Sequence, residues 1–236
     1  MQHQMVRVHA PSPRETVESP LRIEGEARGG WFFEASFPIT LRLEDGSVVA
    51  EHYATAAGEW MTEDFVPFSA KVLFSHPSKG SGWLILHRSN PSGFPEREGE
   101  VRIPVRFSDA ETMEVSVHFG RHDANDCKET VALPRVITRT EAPMRAALEH
   151  LLAGPTPDER EQEYFSPIPS GVTIQGLSLV GKTVEVDLSE QLEAGAGGSC
   201  RAQAIRSQIE NTLLQFSAVD SVVISVDGRV DDILQP

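Results

Sequence analysis

Leu21, Ile23, Gly25 and Ala27 alternate with Arg22, Glu24, Glu26 and Arg28, the two-residue period of a strand with one buried face. Short apolar runs follow at Phe37 to Leu43, Val48 to Ala54, Phe65 to Phe74, Trp83 to His87 and Val101 to Phe107. Turn residues separate them at Asp45-Gly46, Pro77 to Gly82 and Asn90 to Gly93. About seven short strands in about 100 residues, with no long helical period, predict an all-β sandwich over residues 1–109. The polar stretch Ser108 to Thr112 marks a boundary, and residues 110–236 read as a mixed α+β domain. There Met144, Ala147, Leu148, Leu151 and Leu152 recur at helical spacing between Pro143 and the stop signal Gly154-Pro155. A second helix is predicted from Ser199, its N-cap, to Phe216, with Ala202, Ile205, Ile209, Leu213 and Phe216 on one face. Strands are predicted at Met113 to Phe119, Val131 to Thr138, Val172 to Val180, Thr183 to Leu188 and Ser221 to Val226.

Composition narrows the function. With 39% hydrophobic and 24% charged residues the chain can bury proper cores, so wholesale disorder is excluded. The net charge of -14 is uneven: residues 1–109 hold 11 basic and 15 acidic side chains, residues 110–236 hold 10 and 20. Such a balance argues against binding nucleic acid or anionic lipid, both of which require a basic face. No run of about 18 apolar residues occurs, and Met1 to Ala10 lacks the charged-then-apolar layout of a signal peptide. Read literally, that layout points to the cytoplasm; a removed signal or lipid anchor ahead of this sequence would reverse the reading.

Isolated motifs offer little chemistry. Gly176-Leu-Ser-Leu-Val-Gly181-Lys182-Thr183 fits the phosphate-loop pattern letter for letter. A working phosphate loop leaves a strand and opens a helix, so that backbone N–H groups converge on the phosphates. Here Thr183 to Leu188 alternates like another strand, which makes Gly181-Lys182 a hairpin turn and predicts no nucleotide binding. His118, His122 and Asp123 are the closest metal-like set, but a strand end and its loop give no convergent spacing, and Asp123-Ala-Asn125-Asp126 lacks the glycine and distal glutamate of a calcium loop. No nucleophile elbow accompanies any serine. Acidic pairs such as Asp231-Asp232, or the run from Asp158 to Glu163, could serve glycoside hydrolysis only if two converge in a cleft, and a solvated face is the default. No metal or other cofactor is expected.

Cys127 and Cys200 both fall in the second half. Two is the number one disulfide needs, while a thiol at a helix N-terminus has a lowered pKa, so a reactive Cys200 stands as the rival reading. In the first half, aromatic residues gather at Trp31-Phe32-Phe33, Phe37, Trp60, Phe65 and Phe68. Carried along one strand, the period places Trp31, Phe33, Ala35 and Phe37 in the core and leaves Phe32 beside Glu34 on the polar face as a partner contact.

Three blocks in order carry a family resemblance: Ser19 to Pro38, including Gly25 and Trp31-Phe-Phe-Glu; Gly58-Glu-Trp60-Met-Thr-Glu-Asp-Phe65-Val-Pro-Phe; and Asn90-Pro-Ser-Gly93-Phe-Pro-Glu. Residues 5 to 107 resemble the immunoglobulin-like domain associated with bacterial spore-germination proteins. In the second half, Val131-Ala-Leu-Pro134-Arg135-Val, Ala146 to Glu159, Ile168-Pro169-Ser-Gly171 and Val226-Asp227-Gly228 resemble the GerMN domain of sporulation and germination proteins and of related envelope lipoproteins. Gly197-Gly198-Ser199-Cys200-Arg201, with Cys127, resembles a cysteine-bearing subgroup. Many relatives place the GerMN domain first, whereas this chain places it second.

The resemblance implies export, as a lipoprotein or tethered protein whose N-terminal anchor lies outside this sequence, and a role in binding or assembly rather than turnover. With export, an even count and confinement to one domain, Cys127 and Cys200 are expected to be joined. The expected partner is another envelope protein or peptidoglycan, met through Phe32 and Glu34 or through the acidic segment carrying Asp158, Glu159, Glu161 and Glu163. The rival class is a carboxylate-dependent hydrolase of cell-wall glycan.

Overall fold

Strand alternation dominates the first part of the structure, a computed structural model that describes residues 5–76, 80–195 and 198–234. Eight strands form it: β1 (Val6–Ala10), β2 (Thr16–Val17), β3 (Leu21–Arg28), β4 (Ser36–Leu43), β5 (Val48–Ala56), β6 (Phe65–Val72), β7 (Ser81–His87) and β8 (Glu100–Phe107). Their hydrogen-bonded order is β1-β3-β6-β5-β4-β7-β8-β2. β5 and β6 pair over only two positions, Thr55 with Ser69 and Ala56 with Phe68, so β1-β3-β6 and β5-β4-β7-β8-β2 form two layers joined at a narrow seam. Side chains at every second position fill the space between them, among them Ile23 and Ala27 of β3, Phe68 of β6, Ile39 and Leu41 of β4, and Leu84 and Leu86 of β7. β1 and β2 lie outside the predicted strands; both are short and at the ends of the strand order, where little periodicity accumulates. Of the turn expected over Pro77 to Gly82, residues 77–79 lie outside the described residues.

The second compact unit, Met113–Pro236, mixes helix and strand. β9 (Thr112–Arg121), β10 (Val131–Thr138) and β11 (Tyr164–Phe165) form one sheet with β9 central; β12 (Ile174–Val180), β13 (Thr183–Leu188) and β14 (Ser221–Val226) form another with β13 central. Helix α1 (Pro143–Ala153) buries Ala147, Leu148 and Leu151 as its spacing predicts. A short helix α2 (Pro157–Glu161) falls where only a solvated segment was expected, and α3 (Ser199–Leu214) leads toward β14, which pairs parallel to β13. Ser199 is the first helical residue, not the cap: Gly198 occupies that position, with φ 95°, and no side chain caps the helix. Gly197, at the head of that expected block, lies outside the described residues.

Two stripes of α3 are buried. Ala202, Ile205, Ile209 and Leu213 enter the apolar core. Beside them run Gln208 and Thr212, neither with any exposure, and Gln215 just beyond. Gln208 Nε2 donates to the Phe165 carbonyl (3.2 Å) and its Oε1 accepts from the Ser166 hydroxyl (2.7 Å). Thr212 Oγ1 accepts from the His118 N–H (3.0 Å), while Gln215 both accepts from the Ser116 N–H and donates to its carbonyl, each at 2.7 Å. At i, i+4 and i+7 these side chains stand one above another; Gln208 holds the end of β11, and Thr212 and Gln215 bond backbone groups of β9 where β11, two residues long, does not reach.

Candidate interaction surface

Three loops of the sandwich are tied to one another: residues 29–35 between β3 and β4, 57–64 between β5 and β6, and 88–99 between β7 and β8. Gly29 opens a 3-10 turn, Gly29–Trp31, so close to the second loop that a Cβ there would stand 1.9 Å from the Thr62 carbonyl oxygen and 2.3 Å from that of Trp60. No side chain fits that approach. Arg28 donates to the Glu63 carbonyl (2.6 Å). From the third loop, Arg88 Nε donates to the Gly30 carbonyl (2.9 Å), the Ser89 N–H to Trp31 (3.0 Å) and the Ser89 hydroxyl to the Ser36 carbonyl (3.1 Å).

The chain then reverses within four residues. Phe33 and Ser36 exchange both backbone hydrogen bonds, at 2.9 and 3.0 Å, across Glu34 (φ 48°) and Ala35 (φ 59°). Two consecutive left-handed residues are what a mirror-image hairpin turn requires, and neither glutamate nor alanine favours that conformation. Strain of this kind persists where the surroundings over-determine it, and it concentrates at functional positions.

This geometry corrects the reading of Phe32. Residues 31–37 are not one strand but a 3-10 turn followed by a hairpin turn, so the two-residue period does not run through them. Phe32 is 5% exposed and packs on Phe37 with ring centroids 5.3 Å apart, whereas Phe33, assigned to the core, is 46% exposed. Glu34 is exposed as expected. The other two loops each expose one large apolar side chain, Met61 (74%) and Phe94 (53%). Phe94 is presented by a turn in which Asn90 Nδ2 donates to the Phe94 carbonyl (2.8 Å) and the Gly93 N–H to the Asn90 carbonyl (3.1 Å).

In the second unit Cys127 and Cys200 form a disulfide with Cα atoms 5.3 Å apart, tying the loop after β9 to the first turn of α3. The histidines nearby have separate partners. His118 Nδ1 meets the Thr130 hydroxyl (3.1 Å), with burial holding its pKa below the usual range, His122 stacks on Phe165 (4.6 Å), and Asp123 pairs with Arg121 (3.0 Å). Lys182 follows Gly181 (φ 63°) in the two-residue connection between β12 and β13, where Val180 pairs with Thr183, and its ammonium meets Asp220 at 3.0 Å. A strand follows this Gly-Lys pair where a phosphate loop needs a helix.

Comparison with known proteins places these two units. Residues 5–93 match the immunoglobulin-like domain of bacterial spore germination, and residues 116–232 match the sporulation and spore germination family. The chain joins the two spore-germination domains. Neither family is a known enzyme family. Among solved structures, the tandem GerMN domains of the sporulation protein GerM from Bacillus subtilis are 20% identical, with a TM-score of 0.41 over 51% of this chain and 41% of that one. The first GerMN domain of the same protein is 20% identical, with a TM-score of 0.40 over 50% of this chain and 85% of that one. The match thus spans less than half of the tandem-domain structure. Among curated proteins none matches the chain.

Within the GerMN domain the acidic segment is only partly a free surface. Asp158, Glu161 and Glu163 are exposed. Glu159 is not solvated as expected. Thr156 caps α2 by accepting from the Glu159 N–H, and Glu159 Oε2 returns the bond by accepting from the Thr156 N–H (2.8 Å), a capping box. The same carboxylate grips the Arg135 guanidinium with two bonds of 2.6 Å, and Arg135 is 4% exposed. Burial and the Arg135 charge together lower the pKa of nearby His150 to about 4, so it is neutral near pH 7. Two carboxylates elsewhere are held below their usual range: Asp45 by hydrogen bonds from Ser47, and Glu193 by its bond from Arg229.

Proposed function

We propose that this germination-family chain is a non-enzymatic, extracytoplasmic protein of the cell envelope that assembles with another envelope component through the loop end of its immunoglobulin-like domain. One observation carries the reading. Three neighbouring loops, the second and third each held against the first, all keep a large apolar side chain in water, Phe33, Met61 and Phe94, and the turn that presents Phe33 is strained. Folding gains nothing from exposing these groups, whereas a partner would bury them. Loops clustered at the end of a sandwich are the part of this architecture free to vary without disturbing its core.

The test is recovery of partners from native envelopes by the tagged full chain, wild type against Phe33→Ser/Met61→Ser/Phe94→Ser. Selective loss of one co-purifying component in the variant is expected. Undiminished recovery of every component would place the contact elsewhere.

A further inference from the structure

The charge of the sandwich is concentrated on the same loops. Residues 29–35, 57–64 and 88–99 hold six acidic and two basic residues, while the remaining positions of 1–109 hold nine of each. The whole net charge of that domain therefore belongs to the end that exposes Phe33, Met61 and Phe94. Of the cations there, Arg88 is half-buried and bonded to the Gly30 carbonyl, and Arg97, though exposed, has its guanidinium 6.0 Å from the centre of the Phe94 ring; Arg28, next to the first loop, is bonded to the Glu63 carbonyl. Glu34, Glu59, Glu63, Asp64 and Glu98 are exposed.

Accepting the loop end as the docking surface, we infer that its partner is a protein segment bearing lysine or arginine together with aliphatic side chains, and that anionic wall polymer is turned away. Exposed apolar groups on loops that also carry exposed carboxylates complement a basic amphipathic surface: Phe33 offers an aromatic ring to cations, Phe94 and Met61 pack against aliphatic shapes, and the carboxylates supply long-range attraction. The same carboxylates repel phosphodiester or carboxylate polymers and a second copy of this surface. The hairpin turn at Glu34 and Ala35 fixes Phe33 and Glu34 before the partner arrives, which reduces the ordering cost of binding.

The test uses the full chain with three defined probes: an amphipathic lysine/leucine peptide, its glutamate/leucine counterpart, and a purified glycerol-phosphate polymer. Binding is measured by calorimetry at about 0.05 and about 0.5 M salt. The lysine/leucine peptide should bind and the other two should not, with affinity falling about tenfold at the higher salt and about tenfold in Glu34→Gln/Glu59→Gln/Glu63→Gln/Asp64→Asn. All four carboxylates are exposed, and thermal melts verify that the variants fold. Failure of the lysine/leucine peptide to bind, or binding of either anionic probe, would overturn the inference. Loss of binding in Phe33→Ser/Met61→Ser/Phe94→Ser with full binding in the charge variant would keep the loop surface and remove the cationic partner. Unchanged binding in both variants would remove the loop surface itself.

Discussion

Replacing Glu159 with alanine should destabilise the GerMN domain far more than replacing its partner Arg135. Glu159→Ala leaves the Arg135 guanidinium, whose side chain is 5% exposed, with the neighbouring Pro134 carbonyl (3.0 Å) as acceptor in place of a bidentate carboxylate, and it also removes the acceptor for the Thr156 N–H. Stripping a buried charge of its partner costs about 3–5 kcal/mol, and the capping bond belongs to a class worth about 1 kcal/mol. A total of about 4–6 kcal/mol follows. Arg135→Met removes the cation instead; the Glu159 side chain, 15% exposed, can then hydrate and keeps its capping role, so roughly 1–2 kcal/mol is expected. In Arg135→Met/Glu159→Gln no charge is buried, and glutamine still closes the capping box, so stability should return to within about 1 kcal/mol of wild type. Helical far-UV circular dichroism follows this domain, because α1, α2 and α3 all lie in it. With a urea dependence of roughly 2 kcal/mol per molar, Glu159→Ala should lower the midpoint of the helical signal by about 2–3 M. A shift no larger than that of a surface substitution, about 0.5 kcal/mol, would refute the reasoning.

Acid should weaken the same domain through His150. Its folded pKa of about 4 lies below the ordinary 6.5, so between those values the unfolded chain binds a proton that the fold excludes, and stability falls by roughly 3 kcal/mol as pH drops through that window. His150→Leu should flatten this part of a pH series of urea melts. Phe32→Ala should cost the sandwich about 3–5 kcal/mol, while Phe33→Ala should stay within about 0.5 kcal/mol; tryptophan fluorescence reads this, because Trp31, Trp60 and Trp83 all lie in that domain. Reducing Cys127–Cys200, which closes a separation of 73 residues, should remove roughly 4 kcal/mol from the GerMN domain, seen as an earlier helical melt in reductant.

The strands of the second half were the most legible. β10, β13 and β14 begin and end where the alternation does, because turn residues bound each one. The errors share a cause: a local period was carried across a feature that breaks it. At Trp31 to Phe37 the chain reverses without a glycine or asparagine at either left-handed position, so nothing in the letters interrupts the pattern. Helix α2 was signalled by Thr156 three residues before Glu159, but a run of charges suggested open solvent. The polar stripe of α3 was invisible for a different reason. Gln208, Thr212 and Gln215 read as a wet helix face until the backbone they bond is known to lie against them.

That stripe bears on self-association. An unpaired strand margin invites another chain to add itself, and proteins blunt such margins with charge, proline or a covering element. Here the cover is amide and hydroxyl side chains that imitate a neighbouring strand without offering a second edge of their own. Growth of the sheet along this part of β9 is therefore blocked at the surface by Gln215, and Gln215→Ala would unmask a short template at Ser116 on which copies of the chain could stack.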